Sequence, residues 1–79
     1  METKQRKQSV LSEGICECKF EPRGDYGLEG YQRNEKYSFE RKECSEQGKY
    51  LRVSPINHPF GDTMRVSTFN KIFTILEEY

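Results

Sequence analysis

Residues 35–55 read EKYSFERKECSEQGKYLRVSP, and the spacing of their apolar side chains decides the fold class. Tyr37 and Phe39 stand two apart, with Ser38 and Glu40 on the other parity. Leu51 and Val53 repeat the pattern against Tyr50 and Arg52. A period of two puts alternate side chains on opposite faces of a strand, whereas a helix needs apolar residues three and four apart. The polar run 43–48 ends in Gly48 and reads as a hairpin connection. Pro55 ends the second strand because it has no N–H to give a ladder. Two antiparallel strands are therefore predicted, over 35–42 and 49–54.

Working outward, residues 15–20 alternate too. Cys16, Cys18 and Phe20 share one face, with Ile15, Glu17 and Lys19 opposite, which predicts a half-buried strand. Pro22, Arg23, Gly24, Asp25 and Gly27 then break the pattern, and the loop runs on through Gly30. Residues 1–13 offer only Val10 and Leu11 to a core and read as a flexible or loosely docked tail, which leaves 14–79 as one small domain. On the other side, 55–62 form a loop carrying His58, Pro59 and Gly61, and 63–66 form a short strand with Met64 and Val66 inward. The last segment supports two readings. Phe69, Ile72, Phe73 and Leu76 follow helical spacing, with Ser67 placed to cap. Against a long helix, Ile72, Thr74 and Ile75 are β-branched. One helical turn over 67–71 followed by a closing strand is favoured over a continuous helix.

Composition agrees with a mainly β, or α+β, chain. Alanine, the best helix former, is absent from the 79 residues. Leu, Ile, Val and Phe together supply only 16 of them, so the ten aromatics must carry much of the core. The 13 basic and 13 acidic residues cancel, which removes the basic surplus that phosphate binding draws on. No apolar run suggests a signal peptide or a membrane span. Three cysteines, an odd number, argue against a disulfide framework. The expected compartment is the cytoplasm.

Four or five short strands, a long first loop and a helical turn before the last strand describe a small SH3-like barrel or an antiparallel sheet. The Tyr37-x-Phe39 strand, the 49–53 run KYLRV and the terminal Ser67, Phe69 and Phe73 also resemble small accessory proteins encoded by phages and prophages. The resemblance spans roughly residues 15–76. It implies a protein that acts by occupying a partner's surface, in the host cytoplasm if phage-encoded, and it transfers no functional residue.

The residues themselves point to binding rather than catalysis. The 21–31 loop mixes Arg23, Asp25 and Tyr26 with Leu28, and Arg and Tyr dominate interface hot spots. The Arg23-Gly24-Asp25 tripeptide reads as turn chemistry. A second candidate surface carries Tyr50 and Arg52. These six residues form the expected protein-binding set, for an inhibitor or adaptor that works stoichiometrically. The alternatives are a nucleic-acid barrel, with Tyr37 and Tyr50 stacking bases beside Arg41 and Arg52, and a zinc domain using Cys16, Cys18, Cys44 and His58. Their C-x-C and single spacings do not suit zinc knuckles, so buried thiols and no cofactor are expected. A lone histidine with no orienting partner, and no phosphate-cradling glycine loop, give no catalytic constellation.

Overall fold

The predicted alternation is realised as a hairpin of β2 (Lys36–Cys44) and β3 (Gly48–Pro55), the middle of a five-stranded antiparallel sheet. Around it lie β1 (Gln8–Cys18), β4 (Asp62–Arg65) and β5 (Phe73–Glu78), in the order β4-β3-β2-β1-β5. One short helix, α1 (Val66–Ile72), joins β4 to β5. This computed structural model describes residues 8–46, 48–58 and 60–79. Residues 1–7 of the expected tail and Pro59 of the expected loop lie outside them. No helix among the described residues is long and apolar enough to cross a membrane.

Alternation sets the core face. Cys16 and Cys18 of β1, Tyr37 and Phe39 of β2, Leu51 and Val53 of β3 and Met64 of β4 are all buried on it. Phe69 and Ile72 of α1, with Phe73 opening β5, close over that face. Aromatic packing compensates for the scarce aliphatics: Phe69 lies 5.4 Å from Phe39 and stacks 5.2 Å from Phe73, centroid to centroid. The helical turn followed by a closing strand is thus the correct reading of the last segment.

Several expectations are corrected. Residues 8–13 are strand, not tail. Val10 and Leu11 stay exposed, so this half of β1 is held by its ladder to β2 and by paired backbone bonds between Glu13 and Tyr79, not by burial. Phe20 falls past the end of β1 and is exposed. Leu76 is the extra residue where the β1–β5 register slips, between Ile75↔Cys16 and Glu77↔Ile15, and this bulge leaves it outside the core. Ser67 is not the cap. The cap position is Arg65, and its side chain makes no capping bond. Cys44, which falls in the expected 43–48 connection, is instead the buried last residue of β2. The sheet also stays open rather than closing into a barrel, because β4 is only four residues long and β5 pairs with β1 instead.

Two glycines set close approaches. A Cβ on Gly14 would strike the Glu77 carbonyl of β5, and one on Gly61 would strike the Val53 carbonyl of β3. Each permits a backbone crossing that no side chain allows. Beside the first, the Ser12 hydroxyl and the Arg41 guanidinium both donate to Glu78. Those two bonds hold the Glu78 carboxyl below its ordinary pKa.

Candidate functional site

The long connection from β1 to β2 is fastened at its base, at its middle and to the sheet. At the base, Cys18 N–H donates to the Glu35 carbonyl (3.0 Å) and Asn34 N–H donates to the Cys18 carbonyl (2.7 Å). Lys19 N–H donates to the Ile72 carbonyl (2.8 Å), tying the loop to the end of α1. Pro22, Leu28 and Tyr31 are buried and serve as anchors. Tyr31 does most of the fastening. Its hydroxyl donates to Asp62 (2.6 Å) and lies 3.3 Å from the Val53 carbonyl, and its ring meets Tyr37 edge-on at 5.0 Å. Burial and the neighbouring Asp62 carboxylate push the Tyr31 phenol above its ordinary pKa, so it stays a donor.

Between the anchors the tip is wound into a tight 3-10 turn, Asp25–Gly27. Gly24 N–H donates to the Leu28 carbonyl (2.6 Å), Asp25 N–H to Pro22 and Leu28 N–H to Asp25. Four tip residues have left-handed backbone: Arg23 (φ 49°), Gly24 (92°), Tyr26 (60°) and Gly27 (74°). Glycine adopts this region freely, whereas a residue with a Cβ gives up about 1–2 kcal/mol there. Arg23 and Tyr26 are therefore held in strained backbone at the exposed tip. The Arg23 side chain is 83% exposed, with a solvent-facing ion pair to Glu21. Tyr26 is 54% exposed, with the Lys71 ammonium 5.6 Å from its ring centroid.

Arg23, Asp25 and Tyr26 are thus brought together as expected, on one rigid tip. Leu28 is not part of that surface. It is 3% exposed and packs inward, because a loop with a turn this tight needs an apolar plug. Tyr50 and Arg52 stand elsewhere, half-buried on the sheet face away from the core. Tyr50 pairs across to Lys42 near the β2–β3 turn, at the far end of β2 from the loop.

Residues the pattern did not reveal complete the loop end. Phe20 joins Arg23, Asp25 and Arg33 around a hollow of about 370 Å³. Ile56 and Phe60 are exposed on the β3–β4 connection, which leaves the sheet at the same end. Their setting in a Pro- and Gly-bounded polar run was the available signal, since such runs lie on the surface.

The other constellations are not assembled. Cys16 pairs with Tyr37 while Cys44 pairs with Gln8, so the two thiols sit eight β1 residues apart, roughly 26 Å along the strand. His58 is exposed, and its Nδ1 accepts the Phe60 N–H (3.3 Å). Among the described residues no cluster of three metal-ligating side chains occurs. Burial, then the neighbouring Cys18, pushes the Cys16 thiol up to about 12. Burial also raises Cys18, whose thiol donates to the Phe20 carbonyl at 3.3 Å. Both are neutral core groups at ordinary pH. The stacking platform fails for a different reason: Tyr37 is buried on the core face while Tyr50 lies on the opposite one, and Arg41 is bound to Glu78. No protein-family model, curated protein or solved structure matches the chain.

Proposed function

We propose that the chain is a non-catalytic protein-binding module whose contact surface is the tip of the β1–β2 loop, with Arg23 and Tyr26 as anchors, Asp25 between them and Phe20 beside them. One observation carries this reading. The loop is fastened by Pro22, Leu28 and Tyr31, and the rigidity so gained holds two large side chains in strained backbone facing solvent. Strain of this kind persists only where surrounding structure enforces it, and it concentrates at binding sites. A pre-set tip loses little conformational entropy on docking. Arg adds a planar donor fork, and Tyr a rigid face with a polar edge. The resemblance to phage-encoded accessory proteins extends the proposal to a mobile-element protein that inhibits or adapts a host protein complex stoichiometrically.

The test begins with capture from a bacterial host extract, followed by reconstitution of the complex from purified partner. Arg23→Ala and Tyr26→Ala should each weaken binding by about 2 kcal/mol or more, as hot-spot truncations do, with the thermal midpoint nearly unchanged. The affinity should fall only mildly with added salt, unlike that of a phosphate binder. Normal binding by both variants would make the loop a structural cap.

A further inference from the structure

We propose that Lys49, Tyr50 and Arg65, beside the open β4 edge, form a second docking site that takes an acidic, extended peptide segment of a partner protein. Several cations elsewhere on the molecule hold a carboxylate partner. Arg23 has Glu21, Arg41 has Glu78 and Lys42 has Glu40. Lys49 and Arg65 are both exposed and, among the described residues, have no carboxylate partner. The Tyr50 hydroxyl likewise has no hydrogen bond there. Tyr50 and Arg65 are direct cross-strand partners, which sets phenol and guanidinium side by side. With Lys49, Thr63 and Met64 they line a hollow of about 420 Å³ that no carboxylate borders.

The backbone supplies the second half of the recognition. β4 is an outermost strand of the sheet, paired only on its β3 side. In an antiparallel strand alternate residues turn their N–H and C=O outward, so this edge can accept a short added strand. Four residues are too few to drive unregulated edge pairing. They suffice to align a peptide whose consecutive acidic side chains, one on each face, meet Arg65 on the Tyr50 face and Lys49 on the Leu51 face. A peptide is favoured over a nucleic acid because two cations neutralise only about two phosphates.

The site is independent of the loop, and its test uses the full chain labelled with ¹⁵N. The probes are a six-residue peptide with a central Glu-Glu pair flanked by Val, its Gln-Gln counterpart and a six-nucleotide oligothymidylate. The acidic peptide should shift the amides of Lys49, Tyr50, Thr63 and Arg65, while the Gln peptide binds more weakly. Arg65→Glu should weaken the acidic peptide roughly tenfold, since it replaces one attraction with one repulsion. Tyr26→Ala should leave it unchanged. The Arg65 side chain makes no helix-capping bond, so Arg65→Glu removes none. Lys49→Glu provides the same reading on a residue outside the helix. Absence of shifts at these amides, equal binding of the Gln peptide, or a response to the oligonucleotide alone would each overturn the proposal.

Discussion

Tyr31 separates fastening from contact, because it ties the candidate loop to the sheet without reaching the tip. Tyr31→Phe deletes only the hydroxyl that donates to Asp62 at 2.6 Å. Asp62 is exposed, so water replaces the lost donor on that side. The cost should then fall at the low end for a hydrogen bond to a charged group, about 1.5 kcal/mol. Tyr31→Ala also removes a ring packed 5.0 Å from Tyr37 and 5.4 Å from Phe73. Deleting a buried aromatic costs about 3–5 kcal/mol. A domain of this length has a total stability on the order of 4–12 kcal/mol, so the Ala variant should be close to unfolding at 25 °C. The Phe variant should stay folded and lose roughly 6–12 °C in thermal midpoint. Urea denaturation followed by circular dichroism reads both, and binding is then measured on the Phe variant, which should hold partner as tightly as wild type. A Phe variant within about 0.5 kcal/mol of wild type, or an Ala variant no less stable than Tyr26→Ala, would refute the argument that Tyr31 fastens the loop.

Comparing glycine with alanine at positions 23 and 26 isolates backbone strain, since both remove the side chain and only alanine keeps the Cβ. Arg23→Gly and Tyr26→Gly should each be more stable than their Ala counterparts, by about 1 kcal/mol in chemical denaturation. They should bind no better than the Ala variants. Alkaline pH should destabilise the fold through Cys16. The group is raised from an unfolded value near 8.5 to about 12, so the native state holds its proton more tightly. Its contribution is fully present below the unfolded value and is lost as pH rises through that window. A stability profile from pH 7 to 11 should slope downward, and Cys16→Val should make it shallower, with Cys18 and Tyr31 contributing to the rest.

The β class was legible because Tyr37, Phe39, Leu51 and Val53 alternate on a sheet with one buried face, the condition under which period two survives in sequence. It was illegible in residues 8–13, because Val10, Leu11 and Glu13 are exposed and the ladder rather than burial holds the strand. The fate of Leu76 could not be read either. Its helical spacing from Phe69 and Ile72 is real, but a bulge is a register event between two strands and leaves no mark in one of them. The loop tip was foreseen from its composition, and Leu28 was misplaced because a plug and a contact residue are the same side chain until burial distinguishes them. Phe20 looked like core for a similar reason: alternation does not announce where a ladder stops. The unpaired state of Lys49 and Arg65 was out of reach, since it depends on which carboxylates the fold puts elsewhere.

The place of β1 between β2 and β5 fixes an order of assembly. The β2–β3 hairpin closes over a short turn, a microsecond event. The link from β1 to β5 joins positions as far apart as Ser12 and Glu78, 66 residues along the chain. Its loop entropy must be lost before any of its contacts form. The sheet therefore grows outward from the hairpin, and β5 zips on last. Until it does, β1 presents a bare edge, and Cys16 and Cys18 lack the strand residues, Ile75 and Phe73, that pair opposite them. How long a nascent chain dwells there governs how long its β1 thiols stay open to oxidation and its β1 edge to mispairing with other chains.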